Sequence, residues 1–396
     1  MSTFSKRIEA LEPSITIAIS TLARELKAQG KDILSFSAGE PDFDTPAKIK
    51  EAAIDAINQG FTRYTAVAGI PELLEAIANK LKRDNNLEYA TNQILVSNGA
   101  KQSLFNITQA LLEEGDEVII PAPYWVTYPE LVKYAGAKPV IVDCDERNGF
   151  KLTPNQLKEA ITPNTKMLIL TSPSNPTGAV YSKEELEALA EVLKDTNIWV
   201  VSDEMYEKLV FDGTKFVSTA SISEDMFNRT ITVNGLSKSV AMTGWRMGYL
   251  ASANTELVKK MTALQSQSTS NINSITQKAS IVALDGSVDE EIEKMRQAFE
   301  ARAAEAVKLF NQIDGISVSK PKGAFYLFVN IKDITNNSMQ FCEALLENYG
   351  VAVVPGIGFG SDGYFRFSFA TDITTIRMGI RRIEKFVQSL KNIDIK

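Results

Sequence analysis

Residues 166–203 read KMLILTSPSNPTGAVYSKEELEALAEVLKDTNIWVVSD, and this stretch decides the fold. Its two ends are short, almost continuous apolar runs, the pattern of strands covered on both faces. Between them Ser182 and Glu185 have the spacing of a capping box. Leu186, Leu189, Val192 and Leu193 then recur as the stripe of an amphipathic helix. Strand, helix and strand in that order predict a parallel-sheet unit. Five more runs of the same kind lie on either side: 93-QILVS, 116-DEVIIPA, 138-KPVIVDC, 230-TITVNG and 245-WRMGYLA. The expected fold class is α/β, with a mixed, mainly parallel sheet covered by helices.

The pattern changes after about residue 287. Val288, Ile292, Met295, Phe299, Ala303, Val307 and Phe310 predict one long helix. Shorter strands follow in AFYLFVNI, VAVVP and YFRFSFA, and Ile376, Ile380, Ile383, Val387 and Leu390 mark a last helix. We expect a large unit over 47–287 and a smaller α+β unit built from 1–46 and 288–396. No Pro/Gly/Ser-rich linker separates them, so the two should pack closely with a cleft between.

Composition narrows the chemistry. A net charge of −7 argues against nucleic acid or an anionic membrane as partner, and no stretch approaches the ~20 apolar residues of a membrane span. The N-terminal MSTFSKRIEALEPS lacks the apolar run of a signal peptide. Two cysteines, Cys144 and Cys342, give neither a disulfide framework nor a thiolate metal site, and suit a reducing, cytoplasmic compartment. Histidine is absent, which excludes Ser-His-Asp and Cys-His catalysis and any imidazole-bound metal. No metal site is expected. Proton transfer falls to Lys, Tyr or carboxylates.

The segment 234-NGLSKSVAMTGWRMGY is the most informative for chemistry. A lone lysine is ordinarily a solvated surface charge. Lys238, however, follows a strand, with Ser237 beside it and Arg246 eight positions on. Such a set suits a carbonyl-reactive amine next to a phosphate held by cationic and hydroxyl groups. The segment 98-NGAKQ opens a helix, so the backbone N–H groups of Gly99, Ala100 and Lys101 can point at an anion. Asp203 ends the strand IWVVSD, where open parallel sheets place their ligands. Arg366 in YFRFSFA lies on the strand face opposite Phe365 and Phe367.

These motifs resemble the fold-type-I, class-I pyridoxal-phosphate (PLP) aminotransferases, in particular the bacterial aspartate aminotransferase subgroup. The resemblance runs in order through 13-PSIT, 39-GEPDFDTP, 98-NGAKQ, 121-PAPYWVTYPE, 171-TSPSNPTG, 202-SDEMYE, SVAMTGWRMGY, 355-PGIGFG and 364-YFRFSFA, nearly the whole chain. It implies pyridoxal 5'-phosphate bound covalently by Lys238, which later shuttles the substrate's α-proton. It implies Asp203 on the pyridinium nitrogen, Tyr206 and Asn175 on the ring 3-oxygen, and Trp125 stacked on the ring. The phosphate falls to Gly99, Ala100, Lys101, Ser237 and Arg246, with Tyr64 reaching it from the neighbouring subunit of a homodimer. Arg366 would grip the α-carboxylate, with Gly39 and Asn175 beside it. Relatives often carry Glu-His after the tyrosine matching Tyr206; here Glu207-Lys208 stands, which alters only the electrostatics beside the pocket.

The implied reaction is a ping-pong transamination via pyridoxamine phosphate, with amino acids and 2-oxo acids as partners. Aspartate and 2-oxoglutarate are the leading pair, giving oxaloacetate and glutamate. The resemblance places Lys101 at the distal carboxylate, near Ser14 and Thr16. Some relatives also use prephenate and carry a basic residue before the Pro-Ser pair; Glu12 stands there, so little prephenate activity is expected. The alternatives are an aromatic or other amino-acid aminotransferase and a PLP-dependent carbon–sulfur lyase. A PLP-fold transcription regulator would need an added N-terminal DNA-binding domain, for which a match beginning at residue 13 leaves no room.

Overall fold

The structure is a computed structural model that describes residues 4–393; the outermost three residues at each end of the expected small unit lie outside the described residues. The strands are β1 (Leu34–Ser35), β2 (Ile94–Asn98), β3 (Glu117–Ala122), β4 (Lys138–Asp143), β5 (Thr165–Thr171), β6 (Trp199–Asp203), β7 (Thr230–Gly235), β8 (Met247–Ser252), β9 (Tyr326–Asn330), β10 (Val351–Ala352), β11 (Val354–Pro355) and β12 (Tyr364–Ser368). Strands β2–β8 form one seven-stranded sheet in the order β2-β8-β7-β6-β5-β3-β4. β8 runs antiparallel to both its neighbours and the remaining pairs are parallel, so the sheet is mixed and mainly parallel.

Alternation along each strand distributes the core. On one face Met167 and Ile169 of β5 join Val118, Ile120, Val201, Ile231 and Val233. On the other, Leu168 and Leu170 meet Leu186, Leu189 and Leu193 of the helix Lys183–Leu193. Both faces are apolar because both are covered, which is why these strands read as continuous runs rather than alternating ones. Each leucine buried in this way contributes roughly 1.5–3 kcal/mol. The capping box is formed: Ser182 Oγ accepts from Glu185 N–H at 3.3 Å, and Glu185 Oε2 accepts from Ser182 N–H at 2.8 Å.

The long helix is Asp289–Phe310, and Met295, Phe299, Ala303, Ala306 and Phe310 bury its inner stripe. It packs into the same apolar cluster as Phe325, Phe365 and Phe367. Those belong to, or adjoin, a three-stranded antiparallel sheet β11-β12-β9, while β1 pairs in parallel with β10. The helix Ile373–Ile393 closes the chain. Several helices escaped the sequence reading, among them Ala47–Asn58, Pro71–Asn85, Thr255–Ser268, Ser274–Leu284 and Ser338–Tyr349; the one that bears on the cavity is Ile15–Ala28, whose N-cap is Ser14. Its Ala23, with Ile19 and Leu26, rests on Ile33, Leu346 and Ala352. This helix, the C-terminal ends of β5 and β6, and β12 surround one cavity.

Candidate active site

The cavity measures about 590 Å³, within the range of small-molecule sites. Thr16, Gly39, Ala100, Lys101, Trp125, Asn175, Asp203, Tyr206, Ser237, Lys238, Arg246 and Arg366 all line it, although they come from segments far apart in the chain. Asp203 stands where parallel-sheet physics puts it, at the last position of β6 beside Thr171 of β5. Its carboxylate accepts from the Tyr128 hydroxyl at 2.7 Å and from the Met205 N–H at 3.3 Å. Burial pushes the Asp203 carboxyl up from its ordinary value, against the Tyr128 and Met205 hydrogen bonds and the charge of Lys238.

Lys238 lies past the end of β7, half-buried, with its ammonium donating to the Gly39 carbonyl. Burial lowers its pKa to about 8, assisted by Arg366 and Arg246 and opposed by Glu40 and Asp203. A lysine so placed has a sizeable neutral fraction near neutral pH, the condition for nucleophilic attack and proton transfer.

The helix Ala100–Leu111 opens onto the cavity with Gly99 as its N-cap. Gly99 has φ +80°, and a Cβ there would stand 2.5 Å from Arg246 Nη2. Glycine is therefore required where the chain turns against the guanidinium. The N–H groups of Ala100 and Lys101 have no intrahelical acceptor. With the Ser237 hydroxyl and Arg246 they make a donor set suited to an anion. Lys101 Nζ sits 4.9 Å over the Trp125 ring, and burial, then Arg246, lowers its pKa.

Arg366 is wholly inside, contrary to the ordinary edge position of a strand arginine. Nη1 donates to Asn175 Oδ1 at 2.9 Å and Nη2 to the Ser37 carbonyl at 2.8 Å. Its Nε meets no acceptor among the described residues. The guanidinium lies 4.4 Å over the Tyr326 ring. Burial pulls its pKa below the ordinary value, and Tyr326 and Tyr206 oppose that shift. A buried cation held flat, with donors to spare, is a receptor for a carboxylate.

Two expected residues stand elsewhere. Ser14 caps its own helix, accepting from Ile17 N–H at 3.5 Å, and does not line the cavity. Tyr64 is 92% exposed, and the single chain does not bring it to the cavity.

Sequence reasoning also missed participants. Tyr128 sits three positions after Trp125 in PYWVTYPE, a spacing that puts both near one helix start, but the motif assigned it no role. Tyr326 was counted only as part of a strand; its hydroxyl lies 2.9 Å from that of Tyr206. Ser37, Glu40, Ser20 and Arg24 also reach the cavity.

Glu207 and Lys208 lie off the cavity. Glu207 is buried against Lys80 and accepts from Asn85 at 2.7 Å, while Lys208 pairs with Asp84 at 2.7 Å. Among the described residues no group of three or more Asp, Glu or Cys side chains is placed to hold a metal ion, and no helix is long and apolar enough to cross a membrane.

Residues 31–383 match the family described as Aminotransferase class I and II. The chain is 49% identical to the aspartate aminotransferase of Bacillus subtilis, over 97% of this chain and 98% of that protein. It is 48% identical to the aspartate/prephenate aminotransferase of Cereibacter sphaeroides, over 98% and 100%. Among solved structures, the aspartate aminotransferase of Rhizobium meliloti superposes with a TM-score of 0.94 at 43% identity, covering 98% of this chain and 99% of that one. That of Thermus thermophilus with maleate gives 0.93 at 42%, covering 97% and 100%.

Proposed function

The chain belongs to the class I and II aminotransferases, and from that membership and the cavity we propose that it transfers the amino group of L-aspartate to 2-oxoglutarate, giving oxaloacetate and L-glutamate, with pyridoxal phosphate as cofactor. The observation that carries this reading is the meeting of Lys238, Asp203 and Arg366 in one cavity beside an anion cradle. The residues fit the cofactor. The free N–H groups of the helix start, Ser237 and Arg246 suit its phosphate. Asp203, fixed by Tyr128, suits a protonated ring nitrogen. When bound, pyridoxal phosphate supplies an aldehyde and a ring that draws electrons from the substrate's Cα.

The protein does the rest. Lys238 would hold the cofactor through its aldehyde carbon, and its freed amine would take the proton from the substrate's Cα and deliver it to that cofactor carbon, across the intervening nitrogen. Asp203 holds the ring proton. Trp125 provides a stacking face, and the Tyr206 hydroxyl and Asn175 amide donate toward the ring oxygen; the Asn175 carbonyl is already engaged by Arg366, which leaves its N–H₂ free for this. Arg366 clamps the α-carboxylate and so fixes the Cα–H bond relative to Lys238. Lys101, with Thr16, faces the distal carboxylate. The maleate in the Thermus thermophilus structure is a dicarboxylate, which supports that choice.

The reading extends to assembly: a homodimer in which Tyr64 of each subunit completes the other's cradle, with the chain divided into a large part, 47–287, and a small part, 1–46 with 288–396. The two cysteines are buried and unpaired, which suits a cytoplasmic enzyme. The test is a spectral titration of the PLP-loaded protein with single amino acids. Aspartate and glutamate should convert the bound cofactor to its amino form at far lower concentrations than alanine or phenylalanine. A protein that prefers phenylalanine refutes the aspartate assignment, and one that releases ammonia and pyruvate from cysteine or cystathionine is a lyase.

A further inference from the structure

The helix Ile15–Ala28 presents Thr16, Ser20 and Arg24 to the cavity, one residue per turn along a single face. The position of this face is fixed by hydrogen bonds. Ser20 Oγ lies 2.9 Å from Ser37 Oγ, and the Ser37 carbonyl accepts from Arg366 Nη2 at 2.8 Å. Two hydrogen bonds therefore connect the helix to the proposed α-carboxylate receptor. Arg24 stands one turn beyond Ser20, about 6 Å along the axis. Helical side chains lean toward the N-terminus, which carries the guanidinium back over the Ser20 turn. Its Nη2 lies 3.2 Å from Thr21 Oγ1, in keeping with that lean.

Charge points the same way. The cavity is lined by five cations, Arg24, Lys101, Lys238, Arg246 and Arg366, against the two acids Glu40 and Asp203, in a chain whose net charge is −7. Four of the cations have work in the reaction proposed above. Arg24 has none there, and among the described residues no carboxylate oxygen comes within ion-pair distance of it. Arg24 is exposed to solvent and also borders this cavity rich in positive charge, so its guanidinium stands where an entering anion would meet it.

We infer that Arg24 is a specificity-determining residue that meets the distal carboxylate of acyclic dicarboxylic 2-amino and 2-oxo acids, as a second cation beside Lys101. The inference rests on the dicarboxylate reading of the site. Arg24 acts far from the reacting atoms, so it contributes to binding and not to the chemical step.

The experiment uses the PLP-loaded enzyme in single-turnover half-reactions, with no acceptor, so that only the donor varies. Aspartate and alanine are compared for the wild type, Arg24→Gln and Arg24→Lys. Loss of one charge-assisted contact predicts that Arg24→Gln lowers the aspartate-to-alanine ratio of kcat/KM by about tenfold, through KM. Arg24→Lys should recover most of the ratio. If aspartate and alanine fall together, Arg24 merely supports the helix, and the inference fails. If the wild type prefers aspartate and Arg24→Gln leaves that preference intact, the inference fails while the dicarboxylate reading stands. A wild type that does not distinguish the two donors overturns both.

Discussion

Tyr128 donates its hydroxyl hydrogen to Asp203 Oδ2 at 2.7 Å, and the Tyr128 hydroxyl oxygen also lies 2.7 Å from Thr171 Oγ1. The carboxylate that is to hold the cofactor's ring proton is thus oriented by an aromatic side chain wholly inside the protein. Burial raises the Asp203 pKa and the Tyr128 hydrogen bond lowers it. Tyr128→Phe removes a stabilising donor from the charged form, so Asp203 should ionise at higher pH. We expect kcat/KM to fall about tenfold or more, the worth of one hydrogen bond to a charged group. The acidic limb of its pH profile should move upward. An unmoved acidic limb would show that Tyr128 only fills space.

A second carboxyl follows directly in the chain. Glu204 Oε1 accepts from Ser202 at 2.9 Å, Ser218 at 2.8 Å and the Thr219 N–H at 3.1 Å, while Oε2 meets no partner among the described residues. Burial, and then the charge of Glu207, pushes its pKa up to about 7. A raised carboxyl pKa means that the native state keeps a proton the unfolded chain releases from about pH 4.5 upward. Stability from this group is complete below that pH and is lost as pH rises to about 7. Glu204→Gln mimics the protonated form. It should change Tm little near pH 5 and raise it near pH 8, by up to roughly 3 kcal/mol of stability. Thermal melts across that range check the sign; equal shifts at both ends would mean Glu204 does not titrate there.

The seven apolar runs that predict sheet strands all became strands; six are buried along most of their length, which leaves an unbroken apolar signature, while the edge strand β4 is only partly buried. Lys238, Asp203 and Arg366 were legible through motif and position. Tyr326 and Ser37 were not: each touches the site through contacts spanning more than a hundred residues, and nothing local distinguishes them from other strand or loop residues. Arg24 was hidden for another reason, since a charged residue on an amphipathic helix reads as a solvated face. Ser14 illustrates the converse, a motif residue whose hydroxyl is taken up by its own helix.

Tyr64 tests assembly. It is 92% exposed in the single chain, on a segment that includes no cavity residue. Subunits carrying Tyr64→Ala are mixed with subunits carrying Lys238→Ala, and activity is followed as they exchange. A shared site predicts recovery well above either parent, because one of the two sites in the mixed dimer is then intact. Mixtures no more active than the Tyr64→Ala parent would place each site within one chain.

Glu12 bears on secondary acceptors. It is exposed, and its nearest cation, Lys133, is 4.0 Å away, so its charge is weakly compensated. Prephenate should be a poor acceptor for the wild type. Glu12→Lys should improve its kcat/KM several-fold, roughly the effect of reversing one exposed charge, with no matching gain for 2-oxoglutarate. Equal gains for both acceptors would assign the effect to general steering.

The most direct test of the account is chemical. The PLP-loaded protein is reduced with borohydride, digested and mapped by mass spectrometry, with Lys238→Ala treated in parallel. A reduced cofactor is expected on Lys238 alone, and in the variant no adduct and no turnover with an unchanged far-UV spectrum. Label on any other lysine, or a Lys238→Ala protein that still transaminates, would contradict it.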